Sequence, residues 1–118
     1  CHSIVDAKQI INFSNNIDII GIDEAQFFDS SIIEVCNKLA NKGKRVIVAG
    51  LDRDYKTIPF GPMANLLAHA DHISKLSAIC MVCGNQATFS QRLSNEDNQI
   101  LVGESKEYEA RCRTCFKL

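Results

Sequence analysis

Ile17-Asp18-Ile19-Ile20-Gly21-Ile22 (IDIIGI) runs directly into Asp23-Glu24-Ala25-Gln26-Phe27-Phe28 (DEAQFF), and the fold is decided by how this stretch is read. A short, almost wholly apolar run suits a parallel strand covered on both faces. Its abrupt acidic end brings two carboxylates to the place where the strands of an open α/β sheet meet the ligand crevice.

Working outward, Ser31-Ile32-Ile33-Glu34 has the form of a capping box. Ile32, Val35, Cys36, Leu39 and Ala40 then make one apolar stripe before Gly43, so a helix that packs on the sheet is expected. Residues 45–51 (RVIVAGL) read as a second buried strand, and strand, helix, strand makes a right-handed crossover in a parallel sheet. Upstream, Ile4, Ala7, Ile10 and Ile11 predict a short helix over 3–13, with Ser3 and Asp6 at its start. Downstream, residues 52–61 (DRDYKTIPFG) form a polar loop of the kind that binds ligands, followed by a helix over 63–70. Strands are expected over 73–79 and 87–93, and residues 94–109 read as a long polar loop.

The composition narrows the function classes. The chain has 118 residues, 46% of them apolar, which is enough for one domain with a real core. Its 13 basic and 14 acidic side chains supply no single-sign field, so neither nucleic acid nor an anionic membrane is an expected partner. No apolar run reaches the roughly 20 residues that cross a bilayer, and the N-terminus shows no signal peptide, which points to a cytoplasmic protein. The sequence starts at Cys1 without methionine, as expected of a fragment.

Six cysteines in a chain with this much core are expected to be reduced thiols. Cys80-x-x-Cys83 and Cys112-x-x-Cys115 form two knuckles separated by 28 residues, 84–111, and each spacing lets two thiolates reach one tetrahedral ion. A closed four-thiolate zinc site is structural, and it would tie together the two ends of the intervening excursion. Redox dithiols or simply buried cysteines are the other readings. Cys36 lies on the apolar stripe and reads as core, and Cys1 has no evident partner.

Asp23 and Glu24 admit two readings as well. In nucleotide-dependent phosphotransferases an Asp at such a strand end holds magnesium, and a neighbouring carboxylate takes a proton from the attacking hydroxyl. The same pair also occurs as a solvated turn or a helix cap. No G-x-x-x-x-G-K-[ST] phosphate loop occurs in the 118 residues, so a triphosphate-binding loop, if one belongs here, is expected upstream of Cys1.

DEAQFF followed by VIVAGLDRDY, PFG, CMVC and CRTC resembles, in order and spacing, the type II thymidine kinases, the cytosolic, zinc-containing family. The resemblance runs from about Ile17 to Phe116. It implies an α/β fold with a partial P-loop-type parallel sheet core over residues 1–72 and a small zinc-ribbon-like lasso domain over 73–118. The implied reaction is transfer of the γ-phosphoryl group of ATP to the 5′-hydroxyl of thymidine, with Mg2+ bridging phosphates and structural Zn2+ on Cys80, Cys83, Cys112 and Cys115. On that pattern Glu24 is the general base, Asp23 helps place magnesium, and Ala25 and Gln26 lie beside the nucleotide, with Gln26 near the phosphates or the sugar. Phe27, Leu51, Tyr55 and Phe60 match positions that enclose the thymine ring, each of which, taken singly, also reads as core packing. Tyr55 stands where many relatives have Phe, which is tolerable if its hydroxyl finds a partner.

Ser90 and Arg92 match the same pocket, Ser90 near the thymine methyl. Backbone groups of Gln99, Ile100, Leu101, Val102 and Gly103, on the lasso, would bond the pyrimidine edge, and Tyr108 would contact the sugar or base. The resemblance further implies a homotetramer with thymidine or dTTP as ligand, and a phosphate loop upstream, so these residues alone are expected to be inactive. Two other readings use the same features. A zinc ribbon gripping nucleic acid is disfavoured by the near-neutral charge, and another P-loop ATPase acting on a macromolecule is disfavoured by the clustered aromatics.

Overall fold

The computed structural model describes residues 1–94 and 107–118. The chain divides into two compact units, one comprising Cys1–Asp52 with Pro59–His72, the other Arg53–Ile58 with Ile73–Leu118.

In the first unit α1 (Gln9–Phe13) leads to β1 (Ile19–Ile22), then a 3-10 turn (Ala25–Phe27), α2 (Ser31–Asn41), β2 (Arg45–Val48) and α3 (Met63–His69). β1 and β2 are parallel, with Ile19 opposite Arg45 and Ile22 opposite Val48. The ladder is extended past both ends by Arg45 N–H to the Asp18 carbonyl at 2.8 Å and Ala49 N–H to the Ile22 carbonyl at 2.8 Å. Because side chains alternate along a strand, Ile20, Ile22, Val46 and Val48 meet the core formed by Ile32, Val35, Leu39, Met63 and Leu66. Ile32 and Leu39 are fully buried. The opposite face stays open: Ile19 is 60% and Ile47 50% exposed. The apolar stripe of α2 and the buried face of α3 share one cluster with one face of the strands.

The helix ends differ from the sequence reading in instructive ways. α2 begins at Ser31, but no capping box forms: Asp29 accepts from the Ser31 N–H at 2.9 Å and from the Ser31 hydroxyl. Those two donors, the hydroxyl first, hold the Asp29 carboxyl below its ordinary range. Glu34 instead pairs with Lys38 at 2.7 Å, one turn on. At the other end Gly43, at φ +83°, gives its N–H to the Ala40 carbonyl at 2.9 Å while Lys44 N–H reaches the Leu39 carbonyl at 3.2 Å. That pair of bonds is the Schellman arrangement, which needs a left-handed residue at this place. The expected helix over 3–13 shortens to α1, because Asp6 caps the Lys8 N–H at 3.0 Å and residues 5–8 turn. On the α2 stripe Cys36 is half-buried and Ala40 exposed.

The second unit is built from two short antiparallel pairs, β3 (Ala78–Ile79) with β4 (Gln86–Ala87) and β5 (Phe89–Arg92) with β6 (Tyr108–Arg111). The strand expected over 73–79 is reduced to its last two residues. In the longer ribbon Ser90 faces Ala110 and Arg92 faces Tyr108. The Gln91 side chain locks the C-terminal segment to it, donating to the Lys117 carbonyl at 2.8 Å and accepting from the Lys117 N–H at 2.9 Å. Phe89 stacks on Phe116 with centroids 4.8 Å apart and carries the Arg53 guanidinium 4.5 Å from its ring centre. Among the described residues no helix is long and apolar enough to cross a membrane.

Candidate functional site

The acidic pair sits where the parallel strands end. Asp23 follows β1 directly and accepts from the Glu24 N–H at 2.8 Å. Glu24 is left-handed, at φ 52° and ψ 41°, a conformation that costs an L-residue about 1–2 kcal/mol. Interactions from the next residues over-determine it. Ala25 N–H bonds the Ala49 carbonyl at 3.0 Å, tying the turn after β1 to the turn after β2. Gln26 is only 3% exposed, and its amide spans the two turns. Its nitrogen donates to Glu24 Oε2 at 2.5 Å and its oxygen accepts from the Leu51 N–H at 3.1 Å.

Each atom of this bridge has a defined role. Leu51 N–H can only donate, so the Gln26 oxygen must face it and the NH2 must face Glu24. The amide thereby fixes the Glu24 carboxylate through Oε2 and leaves Oε1 for another group. Glycines make the arrangement possible: a Cβ on Gly50 would lie 2.8 Å from Gln26 Oε1 and 3.2 Å from Ala25 N, and one on Gly61 would overlap the Gln26 carbonyl oxygen. A groove of about 650 Å3 opens beside the pair, along the exposed side of β1, with Gly21, Asp23, Glu24 and Phe27 in its wall. Within the same unit Phe27 and Phe60 meet edge to face at 5.7 Å, Phe60 buried and Phe27 56% exposed, while Leu51 is half-exposed.

Tyr55, Ser90, Arg92 and Tyr108 belong to the second unit. Ser90, Arg92 and Tyr108 share one face of the β5/β6 ribbon, because alternate residues and directly opposed partners point the same way. The Arg92 guanidinium lies 4.6 Å from the centre of the Tyr55 ring, and its Nε donates to Ser94 Oγ at 3.3 Å. Tyr55 is held there by a turn that the sequence reading passed over. Asp54, 6% exposed, accepts from the N–H groups of Lys56 at 2.9 Å and Ile58 at 3.0 Å and closes with a 2.9 Å bond from its own N–H to the Ile58 carbonyl. Asp two residues ahead of a turn is a signal for such a motif, and D-Y-K-T carried it. Gln99 to Gly103, expected to offer backbone groups to a base, lie outside the described residues.

Cys80, Cys83, Cys112 and Cys115 converge in the second unit, with all four sulfurs within 4.8 Å of one another and Cys83 Sγ 3.6 Å from Cys112 Sγ. A tetrahedral ion with Zn–S bonds of about 2.3 Å requires sulfur separations of roughly 3.8 Å. The first knuckle is the loop of the β3/β4 hairpin, closed by Cys80 N–H to the Asn85 carbonyl at 2.7 Å and by Gly84 N–H to the Cys80 carbonyl at 2.9 Å. The second is one turn after β6, with Phe116 N–H on the Cys112 carbonyl at 2.9 Å. Burial opposes ionisation of Cys80, but backbone N–H groups of Cys112, Cys83 and Val82 donate toward its sulfur and bring the thiol down to about 6. The neighbouring thiols push Cys115 the other way, Cys112 most, up to about 12. Four such sulfurs fit a closed structural zinc site. Cys36, by contrast, is a lone half-buried thiol raised by burial.

The class these features define is an α/β protein with a carboxylate pair at its parallel strand ends and a separate four-thiolate knuckle. Residues 2–116 match the family model described as thymidine kinase, and the chain belongs to the thymidine kinase family. It is 55% identical over 114 residues to a thymidine kinase of Bacteroides fragilis, an alignment covering 97% of this chain and 57% of that protein. It is 54% identical over 113 residues to the thymidine kinase of Bacteroides thetaiotaomicron (96% and 57% covered) and 50% over 111 residues to that of a Rhodothermus species (94% and 52%). The chain thus spans a little over half the length of the relatives it matches.

Proposed function

We propose that the full-length protein is a thymidine kinase, moving the γ-phosphoryl group of ATP to the 5′-hydroxyl of thymidine. The observation that carries this reading is the Glu24 carboxylate, held left-handed at the strand end by Gln26 with one oxygen left over. Family membership supports it. Glu24 Oε1 accepts the proton of the 5′-hydroxyl as the new P–O bond forms and the bond from the γ-phosphorus to the β,γ-bridging oxygen breaks, with ADP leaving; this is general-base work at a fixed position. Asp23, one of whose oxygens is occupied by the Glu24 N–H, would help hold Mg2+ with the other. ATP with Mg2+ supplies the phosphoryl group and charge neutralisation.

Phe27, Leu51 and Phe60 serve the base as apolar wall, and Tyr55, Ser90, Arg92 and Tyr108 keep the nucleoside-contacting roles that the family resemblance implies. Zn2+ on the four cysteines fixes both ends of the 84–111 excursion. A cytoplasmic homotetramer that also accepts dTTP completes the proposal.

The test is ATP-dependent phosphorylation of thymidine by the full-length protein, followed as dTMP formation, with Glu24→Gln beside it. Gln at position 24 can still accept the Gln26 amide bond but cannot take a proton. Turnover is expected to fall at least about 10²-fold with thymidine affinity little changed. Wild-type protein that forms no dTMP refutes the proposal, and an unchanged Glu24→Gln turnover removes Glu24 from its role.

A further inference from the structure

Residues Arg53–Ile58 interrupt the first unit in sequence and belong to the second. The turn they form satisfies its own backbone: Asp54 takes the N–H groups of Lys56 and Ile58, and Thr57 N–H bonds the Asp54 carbonyl at 3.0 Å. A turn closed on itself still has to be fastened to the strand beside it, and side chains do so here in two crossed pairs. The Arg53 guanidinium lies 4.5 Å from the centre of the Phe89 ring, and its Nη2 donates to the Thr88 carbonyl at 3.1 Å. In the opposite sense, Arg92 of β5 sets its guanidinium over Tyr55 of the turn. Each is an attraction between a cation and an aromatic ring. One such contact leaves a segment free to swivel about it, whereas two crossed contacts fix its orientation. The Phe89 end is the firm one, because the ring is 8% exposed, stacks on Phe116 and has the Arg113 guanidinium 4.9 Å from its centre. Phe116 and Arg113 both come from the segment of the second cysteine knuckle.

We propose that Arg53 is a positioning residue for nucleoside binding, docking the 53–58 turn on β5 through Phe89 and the Thr88 carbonyl and thereby holding Tyr55 in its binding position. This rests on the reading of the protein as a thymidine kinase whose nucleoside meets Tyr55. Arg53 acts through the turn and does not itself touch the substrate. Without its guanidinium the turn spends part of its time off the strand, and the apparent affinity for nucleoside falls with the docked fraction. Bound nucleoside restores the docked form, so turnover at saturation is preserved while the concentration needed for saturation rises.

The experiment compares wild type, Arg53→Ala and Arg53→Lys in the full-length protein. Thymidine affinity is measured by calorimetry, kcat and KM by dTMP formation, and docking by the rate at which a lysine-specific protease cuts after the exposed Lys56 without nucleoside. For Arg53→Ala, Kd and KM should rise about threefold to tenfold with kcat within about twofold of wild type, and cleavage after Lys56 should be faster. Arg53→Lys keeps a cation and a donor and should recover at least about half of the lost affinity; no recovery overturns the role of the charge. Cleavage as slow in Arg53→Ala as in wild type overturns the docking. Faster cleavage with an unchanged Kd overturns the positioning role and leaves the kinase reading standing. A fall in kcat as large as the rise in KM also overturns it, because the damage then reaches the chemistry. Wild type that neither binds nor phosphorylates thymidine removes the kinase reading and the positioning role with it.

Discussion

Gln26→Met is the perturbation that most directly interrogates the strand-end site. Methionine keeps the length and most of the volume of the side chain, so packing at a residue 3% exposed is nearly conserved. What is lost is the pair of bonds at 2.5 Å to Glu24 and 3.1 Å from Leu51. A hydrogen bond to a charged group contributes about 1.5–3 kcal/mol when buried. Glu24 is exposed, which reduces that to about 1 kcal/mol. The Leu51 amide, deprived of its acceptor beside a half-exposed side chain, adds about 1 kcal/mol more. The sum, about 2 kcal/mol, corresponds to a urea midpoint lowered by about 1 M at a typical slope of ~2 kcal/mol/M. The assay is equilibrium urea unfolding of the full-length protein with turnover measured alongside. Turnover should fall as well, since the amide that orients the Glu24 carboxylate is then gone. A midpoint within about 0.2 M of wild type would refute the bridge as the device that fixes the carboxylate.

Three further outcomes follow from other parts of the molecule. Gly61→Ala should destabilise by about 2–3 kcal/mol, because φ is +50° and the new Cβ would overlap the Gln26 carbonyl. Gly43→Ala, at φ +83° with nothing within 4 Å, should lose only about 1 kcal/mol, and equal melting temperatures for the two variants would contradict the packing argument. Metal analysis of freshly purified, reduced protein should give about one zinc per chain, and a metal-free result would refute the knuckle assignment.

The parts of the fold legible in the sequence were those written as periodicity or spacing. The IIGI and RVIV runs became the parallel pair and the α2 stripe found the core. Both knuckles closed on a single point, because C-x-x-C fixes two sulfurs almost irrespective of the chain between them. What could not be read was which partner a polar side chain would choose. The Ser31 to Glu34 capping pattern lost to Asp29, a residue two positions earlier whose carboxylate takes both the N–H and the hydroxyl of Ser31. Both ends of the Gln26 amide bond within the protein, and the link from Gln26 to Leu51 crosses 25 residues of sequence, beyond the reach of any local pattern. Asp54, buried and committed to its own turn, left only a local turn signal among many charged loop residues.

The full burial of Ile32 and Leu39 has a calorimetric consequence. Their apolar surface is out of water when folded and becomes hydrated on unfolding. The heat-capacity increment of unfolding scales with newly hydrated apolar area. Per residue, the α2 stripe therefore contributes more curvature to the stability profile than the exposed side of the same helix, where Glu34 and Lys38 stay in water.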